Sequence, residues 1–197
     1  MAKSKKIKPT IYDKNIDQTI ELDSMEEYDF YQWLLEGFES GLVKSYQYHI
    51  VSYPLTPKQS YNALVSLKTK TKEVTKTLFQ PHEYTPDFIV EFTDKFFNTF
   101  GKTPLTSIPY VSKNPFVIDI KGAFARNGGD RTFSINRKLM YHFHTIYIHK
   151  IVPDDLFKAT WVPNECRYTL KQRKEKTKYQ SKEWKTIDEA ISYVHSN

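Results

Sequence analysis

One seven-residue run constrains this chain more than any other: Phe116-Val117-Ile118-Asp119-Ile120-Lys121-Gly122. A β-branched, apolar run closed by a glycine reads as a short buried strand. Successive strand side chains alternate faces, so Asp119 and Lys121 project from one face, about 7 Å apart along the strand. Val117 shares that face, while Ile118 and Ile120 point the other way. A carboxylate and an ammonium on an otherwise buried strand are costly unless they are paired or used. Two readings follow: a satisfied salt bridge at a strand end, or a metal ligand beside a lysine that handles a water or a phosphate. A second acid-x-Lys triplet, Glu183-Trp184-Lys185, combines with Pro153-Asp154 to meet the same bare pattern. It sits in polar, lysine-rich chain, without the apolar strand that holds ligands rigidly, and is set aside.

The 197 residues suit one domain with a real core, and 13 Phe with 14 Tyr make that core aromatic-rich. A formal charge of +6 favours an anionic partner such as nucleic acid. A single cysteine, Cys166, excludes an intrachain disulfide and a multi-cysteine zinc site. No apolar run approaches the ~20 residues of a membrane span, and the N-terminus lacks a signal-peptide core, so a soluble, cytoplasmic protein without a membrane partner is expected.

Residues 1–18, with Lys3, Lys5, Lys6 and Lys8, read as a basic flexible arm. A short strand over 19–22 follows. Ser24 then caps a helix to about residue 40, with Glu27 at capping-box spacing and Tyr31, Leu34, Leu35 and Phe38 at helical period. Glu27 falls on that inward stripe; Glu26 points sideways. Residues 43–53 read as a strand with Val43, Ser45, Gln47, His49 and Val51 on one face. The stretch after Pro54 reads as polar, then 72–80 as a strand whose Lys68, Lys70, Lys72 and Lys76 form a solvated basic side. Its natural partner is the strand 84–92, which opens at Pro86-Asp87. Residues 94–114 read as an irregular insertion. A loop with Arg126 and Arg131 leads to a helix over 133–143, capped by Ser134, with Ile135, Leu139 and Phe143 on one face and Arg137 and Lys138 on its flank. A strand over 145–151 completes an α/β plan on one central mixed sheet flanked by helices.

In order, the helical acid in Leu22-Asp23-Ser24-Met25-Glu26-Glu27, the Tyr84-Thr85-Pro86-Asp87-Phe88 segment and Ile118-Asp119-Ile120-Lys121-Gly122 resemble the PD-(D/E)xK nuclease superfamily, and within it the small phage endonucleases of Holliday-junction-resolvase type. The helix from Phe133 through Arg137-Lys138-Leu139 resembles the one that follows the third motif. The resemblance spans residues 20 to 153. Met25, where a basic residue is common, the 94–114 stretch and the tail after 153 depart from it. It implies a restriction-endonuclease-like core over 19–153 and an Mg²⁺-dependent (or Mn²⁺-dependent) endodeoxyribonuclease acting on branched or structured DNA. Asp87, Asp119, the carbonyl of Ile120, and Glu27 would hold metal, and Lys121 would act on the attacking water. Phosphate contacts would come from Arg126, Arg131, Arg137 and Lys138. A resolver of junctions would be a homodimer, since two strands must be cut symmetrically; in a phage it would work in the host cytoplasm. The rival from another class is a catalytically silent nuclease-fold protein that only binds DNA or belongs to a virion.

The tail, 154–197, reads as a basic extension, a hairpin plus a helix. Lys171, Arg173 and Lys174 are its candidate phosphate contacts, and Ile187, Ala190, Ile191 and Val194 form the apolar face of its helix. His142, His144 and His149 do not share a helical face and read as structural.

Overall fold

The computed structural model describes residues 8–108, 113–124, 130–169, 172–180, 182 and 184–196. Arg126, Lys171 and Glu183 lie outside them, as do residues 1–7 and the Val194 side chain. The chain opens with an antiparallel hairpin, β1 (Thr10–Asp13) on β2 (Gln18–Glu21). The expected flexible arm therefore does not extend to residue 18. Ile11 enters the core, and fully buried Asp13 accepts hydroxyl hydrogen bonds from Tyr31 at 2.8 Å and Tyr46 at 2.6 Å. Those bonds offset the cost of burying the carboxylate.

Helix α1 (Met25–Glu39) begins at Ser24 for the reason its spacing predicts. The Ser24 hydroxyl accepts the Glu27 amide at 3.1 Å, and Glu27 reaches back to the Asp23 amide at 3.0 Å. Its inner face, Phe30, Tyr31, Trp33 and Leu34, packs on the sheet, and Trp33 stacks on Trp161 at 4.5 Å.

Next come β3 (Val43–Tyr48), β4 (Tyr53–Thr56), β5 (Gln59–Ser66), β6 (Thr71–Phe79), β7 (His82–Tyr84) and β8 (Phe88–Phe92). Three expectations fail here. A bulge between Val43 and Ser45 puts Val43, Tyr46 and Tyr48 inward together, and a left-handed backbone at His49 (φ 48°) ends the strand. The strand β6 pairs with β5 rather than with β8. The stretch taken as polar is β5 itself: Tyr61, Ala63 and Val65 alternate with polar residues except at Leu64, which masks the period.

The stretch read as an irregular insertion opens with helix α2 (Asp94–Thr99), and with the following loop it brings Phe96, Phe100 and Leu105 into the core. Strand β9 (Phe116–Ile120) is buried throughout. Helix α3 (Arg131–His144) starts earlier than expected, at the cap Asp130, whose carboxylate accepts the Phe133 amide at 2.9 Å. The buried side also differs from the expected one: Phe133, Asn136 and Met140 face inward, while Ile135 and Phe143 are exposed. Strand β10 (Ile148–Ile151) pairs parallel with β9, so the sheet runs β10-β9-β8-β3 with its other pairs antiparallel. This is the expected mixed α/β architecture.

Beyond it lie α4 (Pro153–Ala159), α5 (Asn164–Arg167), α6 (Thr177–Gln180) and α7 (Ile187–Ser196). Among the described residues, an antiparallel bridge joins Tyr168 to Glu175 in the stretch read as a hairpin, of which residues 170 and 171 lie outside the described residues. Leu156, Phe157, Trp161, Val162, Cys166, Tyr179 and Ala190 join the same core cluster as α1 and the sheet. The tail is thus packed into the domain rather than appended to it. Among the described residues no helix is long and apolar enough to cross a membrane.

Candidate active site

The two strands β8 and β9 run antiparallel with Phe88 opposite Ile118. One step further along that register sets Asp87 opposite Asp119, and directly opposed residues share a face. Alternation does the rest. Phe116, Ile118 and Ile120 pack with α1 in the main core, while Val117 packs with Leu55, Tyr84, Phe133, Met140 and Ile148 on the side of α3. Asp119 and Lys121 therefore emerge on the α3 side.

Asp119 is almost wholly buried. Its carboxylate accepts hydrogen bonds from the Lys121 ammonium and the Tyr84 hydroxyl. Asp87 accepts the Ile120 amide at 2.6 Å through one oxygen and meets His49 Nε2 at 3.3 Å through the other. In a strand the amide and carbonyl of one residue leave from the same edge, so the Ile120 carbonyl also faces β8. The Lys121 amide instead donates to Ile151 at 2.9 Å, across β10.

Burial first, and repulsion from Asp87 second, push the Asp119 carboxyl up to about 6. Burial works to lower Lys121, but the charge of Asp119 and its hydrogen bond outweigh it and hold the ammonium above its ordinary range. Asp87 contributes to both shifts, because a second carboxylate beside Asp119 and Lys121 makes each of them hold its proton more tightly. The hydrogen bond His49 makes to Asp87 likewise raises His49, and burial followed by Asp119 raises the Tyr84 hydroxyl.

Positive charge gathers alongside. Lys121, Arg137 and Lys150 stand 5.7, 5.3 and 5.9 Å from the centre of the Phe133 ring, and Lys150 is the register partner of Asp119 on β10. Arg137 also donates to the Tyr147 hydroxyl at 3.2 Å. Arg131 and Lys138 are exposed on α3. Arg173 pairs instead with Glu165 at 3.2 Å on the tail, next to exposed Lys174. A cavity of about 340 Å³ lined by Asn114, Tyr141, Tyr147 and His149 opens at the start of β9, the far end from Asp119.

Glu27 is placed differently from the other expected ligands. Its carboxylate completes the cap of α1 and accepts the Tyr48 hydroxyl at 2.7 Å. Tyr48 stacks on His49 at 4.0 Å, so Glu27 reaches Asp87 by way of that ring. Ligand atoms of Asp23, Glu27 and His49 lie within 4.8 Å of one another. The α1 acid beside the end of β9 is Glu26: a side chain at Gly122 would start 3.1 Å from its carboxylate. The absence of a side chain at Gly122 lets the two segments approach.

Tyr84 and His49 were not singled out as site residues from sequence. Both lie in the right segments, but their roles come from contacts 35 and 38 residues away. Of the rival triplet, Lys185 pairs with Glu175 at 2.8 Å, and Asp154 binds Lys178 at 2.5 Å and the Tyr179 hydroxyl at 3.0 Å. The histidines form no common group: His144 Nε2 contacts the Pro54 carbonyl at 2.8 Å, and buried His149 packs between Phe116 and Tyr147. Cys166 is a buried thiol bonded to Asp29 at 3.3 Å. Compared with protein-family models, curated proteins and solved structures, the chain matches none.

Proposed function

We propose that the chain is a metal-dependent DNA endonuclease of PD-(D/E)xK type, acting on branched or structured DNA. One observation carries the reading: Asp87 and Asp119 are set side by side at the ends of adjoining strands, with Lys121 against the buried Asp119. Two partly desolvated carboxylates so placed repel, and a divalent cation would relieve the repulsion. The donor set fits Mg²⁺ or Mn²⁺, because it offers hard oxygens from Asp87, Asp119 and the Ile120 carbonyl. Bonds already made to these carboxylates leave lone pairs available, since an ionised carboxylate accepts at about four sites. Such an ion would polarise a phosphoryl oxygen and raise the acidity of a water.

The chain's own groups do the remaining work. Lys121 would donate a hydrogen bond to the attacking water or a phosphate oxygen. The Tyr84 hydroxyl and the Lys121 ammonium hold Asp119 from two sides and fix its carboxylate plane. His49 orients Asp87, and Glu27 anchors the α1 N-terminus and Tyr48 against the strand ends. Lys150 and Arg137 add positive charge where a phosphate would approach.

The rival reading is a nuclease-like fold that binds DNA without cutting it. It is favoured by the partners that both oxygens of Asp87 and Asp119 already have. A cleavage assay on junction, flap, duplex and single-stranded DNA with Mg²⁺ and Mn²⁺ separates the two. Cleavage abolished by Asp119→Asn upholds the nuclease, and no cleavage with either ion leaves the binding protein.

A further inference from the structure

The chain between Pro57 and Gln80 carries five lysines, Lys58, Lys68, Lys70, Lys72 and Lys76, against one acid, Glu73. The structure turns this stretch into a ribbon: β5 and β6 pair antiparallel from Ser66–Thr71 down to Gln59–Phe79. No residue of either strand is buried, and Leu64, Leu78 and Phe79 are more than half exposed. A two-stranded hairpin without a core is marginal in water, so a long one is an element that meets another surface.

We infer that this ribbon is an arm that lies along duplex DNA beside the candidate site. Cross-strand partners share a face, so Tyr61 with Lys76, Ala63 with Val74 and Val65 with Lys72 form one side. Asn62 with Thr75, Leu64 with Glu73 and Ser66 with Thr71 form the other. Both strand lysines are on the first side and the acid on the second. Lys68 and Lys70 add charge at the tip, where the Leu67 amide donates to the Lys70 carbonyl at 2.8 Å.

Nine residues of strand extend ~30 Å, close to one turn of duplex, and a two-stranded ribbon fits the ~12 Å major groove of B-DNA. The deep, narrow major groove of A-form RNA excludes such an element. A second copy of this chain is a poor occupant, since it too carries a formal charge of +6.

The arm is rooted at the site. It continues into β4 and β7, which pair with each other. Tyr84 of β7 bonds Asp119, His82 contacts Asn136 of α3 at 2.9 Å, and the Pro54 carbonyl of β4 meets His144. A duplex held by the ribbon is therefore held beside Asp87 and Asp119. The inference rests on DNA as the ligand of the proposed site, and not on hydrolysis.

The test compares two variants of the full chain. One carries Lys68→Gln, Lys70→Gln, Lys72→Gln and Lys76→Gln. The other carries Lys14→Gln, Lys44→Gln, Lys95→Gln and Lys158→Gln, the same charge loss on surfaces away from the ribbon. Binding to a labelled 30-base-pair duplex is read by anisotropy without divalent ions, from about 50 to 200 mM salt, after thermal melts show that both variants fold. The ribbon variant should bind at least about tenfold more weakly, with the slope of log K against log salt shallower by about 3, while the control changes less than about threefold. Equal losses in both variants overturn the inference. So does unchanged DNA binding, and a simultaneous loss of self-association in sedimentation would then assign the ribbon to a second copy. Cleavage with Mg²⁺ is scored separately. An unmodified protein that binds through the ribbon but cuts nothing ends the nuclease reading and leaves the arm standing.

Discussion

Asp119 with Lys121 and the lysines of the β5–β6 ribbon are both groups of charge on strands, and they are held in opposite ways. Asp119 is 4 % exposed, and a tyrosine and a lysine fix its carboxylate. The ribbon lysines stand in solvent on strands with no buried residue. In the first region the protein has desolvated charge, which shifts proton affinities and pre-organises ligands. In the second, charge stands in water, where its attraction for a polyanion is screened by salt. The proposed chemistry would use the first region and the proposed capture of DNA the second.

The sharpest break of this comparison is catalytic. Asp119→Asn and Lys121→Ala should each lower cleavage by ~10²–10⁴, with duplex affinity measured without metal changing far less. If affinity falls as steeply as cleavage, the two regions are not separate in function. Packing gives the next largest effect. Trp33→Ala, under the Trp161 ring, should cost about 3–5 kcal/mol in urea denaturation, whereas Leu64→Ala on the ribbon should fall within about 0.5 kcal/mol.

Proton linkage follows in size. An acid whose affinity for its proton is higher in the folded state favours folding at low pH. The Asp119 contribution is fully present below pH ~4 and is lost as pH rises through about 6. Roughly two units of difference correspond to about 3 kcal/mol. Denaturation midpoints from pH 4 to 7 should therefore decline more steeply in the parent than in Asp119→Asn, and parallel curves would show the carboxyl to be ordinary. Smallest is Tyr84→Phe, which removes one hydrogen bond to a carboxylate. It should cost about 1–2 kcal/mol and raise the Asp119 titration midpoint further, read by carboxyl NMR.

Local signals in the sequence were enough for a good part of this protein. The Ser24–Glu27 spacing specified the start of α1, because a capping box is satisfied within four residues. The run 116–121 specified a buried strand with Asp119 and Lys121 on one side, because a strand alternates strictly. A helix, then strands, then a second helix and a last strand were enough for a mixed α/β sheet, which has four strands. Pairing and burial were not local. The partner of β6, the burial of Asp13 and the entry of Trp161 into the core depend on contacts far apart in the chain, which no window of residues contains. The same holds for the site. Asp87, Asp119 and Lys121 were legible as motifs, but Tyr84 on Asp119, His49 on Asp87 and the commitment of Glu27 to its cap and Tyr48 were decided by the tertiary structure. The residue types set which chemistry the chain can hold; only the packing of three strand ends against two helices decides which carboxylate is desolvated, which is already bonded, and which lysines remain in water.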